Sequence, residues 1–358
     1  MFLGFIYPLV KYWTALNVFQ YITFRASYAA LTTLLICYLA GPKIIRGLHK
    51  LKIGQAIRDD GPESHLKKSG TPTMGGLLII ISVFVSMMLW GDLSSRMIWL
   101  TISAFCAFGL IGFLDDFLKI KAKNSKGLPA WAKLVGQFFI SLVVVVILYG
   151  VEKTSTVLYL PFFKNAVLDL GIFWIIFAVF LMVGESNAVN LSDGLDGLAA
   201  GLLIFVFIAL AIISYLTGRA DFSQYLSLPF IEGAGELTVF CLAVIGACVG
   251  FLWFNAHPAE VFMGDVGSLA LGGVIAVISL MLKKEVLTLI AGGVFVLEAA
   301  SVIIQVLVYK MKKVRIFKMA PLHHHFELSG WAETKVVTRF WILGALFAII
   351  ALSTLKIQ

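Results

Sequence analysis

The chain alternates between long apolar runs and short polar segments, and the runs are too long for a soluble core. Ten stretches read as membrane helices, near 23–41, 74–91, 97–114, 134–150, 167–184, 198–216, 237–254, 268–282, 286–308 and 338–355. A span needs about 20 apolar residues to cross a hydrocarbon core of about 30 Å, so the eighth is short and its bounds are the loosest. The pattern predicts an all-α polytopic membrane protein, with residues 1–358 as one integral-membrane domain. Residues 151–165 depart from it: β-branched and aromatic residues beside Pro161 predict a small hairpin outside the bilayer. The N-terminal MFLGFIYPLVKYW lacks the basic region and cleavage site of a signal peptide and reads as an interfacial segment leading into the first span. There is no internal repeat of the kind transporters carry.

Composition agrees with the pattern. The chain is 60% hydrophobic and 13% charged, about half the charge of a soluble domain, which excludes disordered, coiled-coil and disulfide-rich secreted classes. Cys37, Cys106, Cys241 and Cys248 lie inside apolar runs and read as small buried hydrophobes. The net charge of +8 reads as topology signals and an anionic ligand, with no nucleic acid implied. Most of the 28 basic residues fall in three segments on one side of the alternation. Lys43, Arg46, Lys50, Lys52, Arg58, Lys67 and Lys68 follow the first span. Lys119, Lys121, Lys123, Lys126 and Lys133 follow the third, and Lys310 to Arg339 precede the last. The positive-inside rule makes that side cytoplasmic and turns both termini to the periplasm.

The acids gather on the same side. Asp115, Asp116, Asp193, Asp196 and Asp265 come from three separate segments, at or just past predicted helix ends. Carboxylates against a bilayer persist where they pair, line water or bind a cation, and oxygen donors of this kind suit Mg²⁺ or Mn²⁺. In GFLDDFLK, neighbours on a helix point about 100° apart. One acid therefore reaches a metal or substrate while the other orients it, or both are balanced by Lys119 and Lys121. In GESNAVNLSDGLDGLAAG, Asn187, Asn190, Asp193 and Asp196 recur every third position, drifting about 60° per step, and Gly194 and Gly197 predict a helix break. These groups suit a nucleobase, a ribose or a metal, or else an Asx-rich turn.

In NAHPAEVFMGDVGSLALGG, Gly264 and Gly267 flank Asp265, and Ser268 marks a helix restart. Backbone and helix N-terminus can meet a phosphate there, while Phe262 stacks on a base or simply packs. In APLHHHFELSG, consecutive side chains of His323, His324 and His325 cannot all aim at one ion, so one or two facing a pyrophosphate fits better than zinc. Glu298, Ser301 and Gln305 share a helix face. Interhelical hydrogen bonds suit Glu298 and Ser301, and Gln305 sits nearer the candidate substrate. Lys68, in HLKKSGTPTMGG, suits a phosphate or a lipid headgroup.

These blocks together resemble the phospho-N-acetylmuramoyl-pentapeptide transferase family, within the polyprenyl-phosphate N-acetylhexosamine-1-phosphate transferases. The resemblance runs the length of the chain, through NVFQYITFR, GTPTMGG, GFLDDF, NAVNLSDGLDGLA, FLWFNAHPAEVFMGDVGSLALGG and MAPLHHHFELSGW. It implies transfer from UDP-N-acetylmuramoyl-pentapeptide to undecaprenyl phosphate, dependent on Mg²⁺, at the cytoplasmic face of a bacterial inner membrane. It further implies a homodimer. On that reaction Asp265, in its glycine-flanked loop, is expected as the first metal ligand, Asp115 as the group that activates the lipid phosphate or acts electrostatically, and Asp116 as its orienting partner or a second metal contact. By family position the remaining candidates divide in two. Asn190, Asp193, Asp196, Asn255 and Phe262 fall in the nucleoside region. Lys68, Lys133, Ser268, Gln305, His323, His324 and His325 fall around the phosphates or sugar. Two rivals carry different expectations. A transporter needs carboxylates near the midplane and paired broken helices, and a sister transferase takes an N-acetylglucosamine donor.

Overall fold

The computed structural model describes residues 10–50, 68, 70–122, 127–161 and 167–356. The start of the interfacial segment, Lys52, Arg58, Lys67, Lys123, Lys126 and residues 162–166 of the hairpin loop lie outside the described residues. A short 3-10 turn, Thr14–Gln20, leads into α1 (Ile22–Lys50), followed by α2 (Gly76–Trp90), α3 (Arg96–Ala122) and α4 (Ala130–Gly150). The hairpin β1 (Val157–Tyr159) and β2 (Val167–Asp169) separates α4 from α5 (Phe173–Ser192). Then come α6 (Leu198–Thr217), α7 (Ala220–Leu226), α8 (Gly235–Asn255), α9 (Gly264–Leu282) and α10 (Glu285–Ala291). The chain closes with α11 (Gly293–Lys312), α12 (Leu322–Glu327) and α13 (Glu333–Ser353). Among the described residues, nine helices are long and apolar enough to cross a membrane. The tenth apolar helix, α2, has 15 residues and spans about 22 Å.

The layering follows from which helices carry small residues and which carry bulky apolar ones. Of its most apolar stretch, α9 buries 94%, against 22% for α11 and 28% for α1 and α4. Helix α9 is therefore the axis of the bundle. Leu31, Leu35, Phe139, Val146, Ile303, Leu307, Leu346 and Ile349 project outward from α1, α4, α11 and α13, as lipid-facing side chains do. Apolar attraction does little to draw helices together in lipid, so close approach through small residues matters more. A Cβ on Gly272 would strike the backbone of α5 at Glu185, and one on Gly273 would strike the Phe108 ring of α3. At the N-terminus of α9 the approach is closer still. A Cβ on Gly112 of α3 would collide with the Asp265 backbone, and one on Gly76 of α2 with the Gly267 backbone.

The opposite end of the bundle is clamped separately. Arg25 of α1 donates to Glu236 of α8 at 2.7 and 2.5 Å, and to the Trp90 carbonyl of α2 at 3.2 Å. The hairpin sits at this end, where the Lys284 ammonium lies 5.2 Å from the centre of the Tyr159 ring.

Each predicted span falls on an apolar helix in the predicted order, nine of them long enough to cross a membrane among the described residues, but their polar ends need correction. Asp115 and Asp116 lie within α3, which runs on to Ala122. Asn187 and Asn190 lie within α5, Lys133 within the first turn of α4 and Asp265 within the first turn of α9. Hydropathy marks where lipid contact stops, whereas backbone hydrogen bonding continues until a cap or glycine ends it. Residues 167–169 are strand rather than helix, because Asp169 accepts from Gly171 N–H and Thr156 Oγ1 and turns the chain there. The predicted span 286–308 is two helices, α10 and α11, parted at Gly292.

Gly112→Ala is expected to destabilise the protein by about 3 kcal/mol, the upper range for overpacking, since backbone rather than a flexible side chain blocks the methyl. Gly47→Ala has open space and should be neutral or slightly stabilising. Thermal unfolding of the two variants in detergent checks this.

Candidate active site

The last turns of α3 deliver the first half of the site. Asp115 and Asp116 are both buried, and Lys119 one turn on reaches Asp115 at 2.5 Å and Asp116 at 3.2 Å. A shared counter-charge was one of the two arrangements expected of the adjacent carboxylates. They converge because one long ammonium bridges positions three and four residues back. Asp265 arrives from the N-terminus of α9, where the helix dipole favours an anion. It takes Lys119 at 3.2 Å and Lys133 of α4 at 2.6 Å. Asn190 Nδ2 donates to Asp265 Oδ1 and to Ser268 Oγ, each at 2.8 Å. Leu128 N–H holds Asp115 at 2.8 Å, and Val266 N–H lies 3.4 Å from Asp116. Oxygens of Asp115, Asp116 and Asp265 all lie within 4.8 Å of one another.

Five of the residues singled out by sequence thus share one cluster with Lys133, bringing Asp115, Asp116, Asp265, Asn190 and Ser268 together. Asp193 stands beside them, just past the end of α5. Burial and the like charges of Asp265 and Asp116 push its carboxyl well above the usual range, against a Gly264 N–H that favours the charged form. Three carboxylates share two ammoniums there, so acids outnumber bases in the cluster. Gly264 has a φ of +72°, and a Cβ there would press on Asp116 and Thr73. Here the glycines flanking Asp265 serve close packing around it.

Asp196 belongs to a second knot. Its carboxylate takes Lys68 at 2.7 Å, His257 Nδ1 at 3.0 Å and Ala259 N–H at 3.1 Å. Glu333, in the first turn of α13, takes Lys68 at 2.5 Å and the Asp196 N–H at 3.0 Å. Four segments far apart in sequence are thereby tied together by one ammonium and two carboxylates. Gly197, with a φ of +76°, ends the turn, and Asn255 fastens it by accepting from Gly197 N–H at 3.0 Å and donating to the Val261 carbonyl at 2.8 Å. Asn255 spends its amide on backbone and acts on the site through the turn.

The remaining predicted residues separate. Phe262 is half-buried, its backbone paired with Pro72 and Gly75. Gln305 was expected nearer substrate. Its carbonyl accepts from Ile316 and Phe317 and its amide donates to Phe317, so it staples the loop after α11. The three histidines take three different partners: His323 meets Glu298, His324 meets Glu327 at 2.8 Å, and His325 accepts from Lys318 N–H at 3.1 Å. Glu298 makes the interhelical contact expected of it, whereas Ser301 bonds back to the Glu298 carbonyl of its own helix. Sequence reasoning missed His257 and Glu333 and treated Lys119 only as a counter-charge. His257 stands two residues past Asn255, inside a block already singled out, and Lys119 follows Asp115 by four. Glu333 has no such local signal.

An apolar bundle with acids, lysines and amides drawn together at one end defines a multi-pass membrane protein with a polar site beside the membrane surface. The glycosyl transferase family 4 model matches residues 97–283, and a phospho-N-acetylmuramoyl-pentapeptide-transferase signature matches residues 68–80. A protein of that name from Desulfosudis oleivorans is 52% identical over 99% of both chains, and one from Rickettsia felis 54% identical over 96% of both. Another from Thermodesulfovibrio yellowstonii is 52% identical over 99% of both. The chain belongs to the phospho-N-acetylmuramoyl-pentapeptide-transferase family.

Removing Glu333 by Glu333→Ala should cost about 3 kcal/mol, because Lys68 and the Asp196 N–H each lose a charged acceptor. Glu333→Gln should cost less, and exposed Thr334→Ala under about 0.5 kcal/mol. Denaturation in detergent, followed for the three variants side by side, provides the comparison.

Proposed function

We propose that the chain transfers phospho-N-acetylmuramoyl-pentapeptide from its UDP-linked form to undecaprenyl phosphate. A lipid phosphate oxygen bonds to the β-phosphorus, the bond from that phosphorus to the bridging oxygen breaks, and UMP leaves. The product is undecaprenyl-pyrophosphoryl-N-acetylmuramoyl-pentapeptide. The observation that carries this reading is the convergence of Asp115, Asp116 and Asp265 with Lys119 and Lys133 at one end of the bundle. One substrate is water-borne and the other lipid-borne, so the reacting groups must sit where both reach. Carboxylates near the midplane, as a transporter needs, do not fit that grouping.

Three hard oxygen donors within 4.8 Å fit Mg²⁺, with Asp265 and Asp116 as its holders and Asp115 adjacent. Bound there, Mg²⁺ supplies positive charge opposite the donor pyrophosphate. The chain's own groups do the rest. Phosphoryl transfer between two anions asks mainly for positioning and neutralisation. Lys119 and Lys133 neutralise, exchanging carboxylate oxygens for phosphate oxygens. A phosphate monoester is largely dianionic near neutral pH, its second pKa being about 6, so Asp115 orients the lipid phosphate more than it deprotonates it. Asn190 holds Asp265 in place, and Ser268 braces Asn190. Asp193, Asp196 and Phe262 receive the nucleoside, with Asn255 fastening the turn beneath them. Lys68, His323, His324, His325 and Gln305 surround the phosphates and sugar or support the segments that do.

The working arrangement is a single domain in a bacterial inner membrane, with both termini periplasmic, the site cytoplasmic and two copies associated as a homodimer. The concentration of Lys and Arg on the site's side of the alternation supports the orientation.

In detergent with UDP-N-acetylmuramoyl-pentapeptide, undecaprenyl phosphate and Mg²⁺, the protein should release UMP. Asp265→Asn should lower kcat about 1000-fold, the scale of removing one group that stabilises transition-state charge, and chelation should abolish turnover. Full activity without divalent metal would overturn the metal assignment. Preference for UDP-N-acetylglucosamine would move the chain to a sister activity.

A further inference from the structure

We infer that Glu298 is a positioning residue, fixing His323 so that its Nε2 abuts the turn carrying Asp193 and Asp196. The inference rests on the reaction proposed above. Glu298 and His323 are both 0% exposed. One carboxylate oxygen accepts the His323 backbone N–H at 3.2 Å, and the other lies 3.2 Å from His323 Nδ1. Both oxygens of one acid thus address one residue, fixing its main chain and the rotation of its ring together. A buried carboxylate is stable only with a donor or counter-charge at hand. Nδ1 is therefore the protonated nitrogen facing it, which leaves Nε2 as the ring's outward atom.

That outward atom is buried and without a hydrogen-bond partner among the described residues. A buried polar atom left unsatisfied is destabilising, so it persists where the fold or a ligand has a use for it. Its position is specific: a Cβ on Gly194 would collide with Nε2, so the ring fits against the turn only because residue 194 has no side chain. Gly194 lies between Asp193, beside the three-carboxylate cluster, and Asp196, in the Lys68 knot. His323 is thus a support under the one turn that joins both groups. Its unmatched nitrogen is available to that turn when the turn's groups rearrange around a ligand. Glu298 is itself fully buried, so it acts only through this ring.

The test combines a spectroscopic and a kinetic reading of the full chain in detergent. The chain has six histidines, so ¹⁵N-histidine labelling gives a resolvable set, and loss of one signal in His323→Gln assigns His323. Wild type should show His323 protonated at Nδ1, and Glu298→Gln should lose that fixed state. Glu298→Gln should lower kcat about 10–100-fold, as loss of an orienting partner does, with KM for the UDP-linked donor little changed. The double variant Glu298→Gln, His323→Gln should be no slower than His323→Gln alone. Gly194→Ala, which displaces Nε2 while sparing Glu298, should lower kcat in the same range. A His323 ring bare at Nδ1 in wild type would overturn the inference, as would a Glu298→Gln variant with lowered thermal stability but unchanged kcat. Failure of wild type to use the muramoyl donor would sink the proposed reaction, while the ¹⁵N signals still report the Glu298–His323 arrangement directly.

Discussion

Asp265 stands in the first turn of the most deeply buried helix, and the packing at that end of the bundle is organised around bringing it close to other backbones. Charge inside an apolar bundle is stable only when opposite charge and hydrogen-bond donors lie within contact distance. Contact distance in turn requires that α2 and α3 approach α9 without intervening side chains. Gly76, Gly112, Gly264 and Gly267 meet that requirement. The carboxylates can then be held by Lys119, Lys133 and Asn190 with little room for water-sized error in their placement.

The polar end divides into three linked parts with different charge balance. The three-carboxylate cluster gathers more acids than bases, which suits a cation and, through it, an anionic substrate. The knot of Lys68, Asp196, His257 and Glu333 ties four segments by charge-assisted bonds. The Glu298–His323 pair is wholly buried and lies under the turn between the other two. A single break in the backbone, from Asp193 to Gly197, therefore serves all three. The other end of the bundle keeps its own clamp at Arg25 and Glu236, so the helices are pinned at both ends and the apolar middle needs only small-residue packing.

The residue types of the site were legible along the chain, while its partnerships were not. Asp115, Asp116, Asp193, Asp196 and Asp265 were conspicuous because acids are costly beside a bilayer, and Lys133, Asn190 and Ser268 were already among the candidates. Glu333 was invisible as a site residue because an acid in a helix's first turn is ordinary by local rules. Gln305 pointed toward substrate by its place on a helix face, yet its amide closes a loop that no periodicity describes. Helix ends were misjudged at α3, α4, α5 and α9 for one reason: apolar periodicity stops where polar side chains begin, while backbone hydrogen bonding continues through them.

By itself the sequence determined that this is a helical membrane bundle, the order of its spans, and that the conspicuous acids Asp115, Asp116, Asp193, Asp196 and Asp265 gather at one end. Those follow from the cost of exposing backbone and charge to lipid, which acts on every residue locally. Only the tertiary structure decided that α9 is the axis and that Lys119 joins three acids. It likewise decided that Asp196 pairs with Lys68 and His257, apart from the group around Asp265, and that one histidine of three lies under the turn. Those depend on contacts between segments tens to hundreds of residues apart, where glycine-sized gaps and the reach of single side chains settle which charges meet.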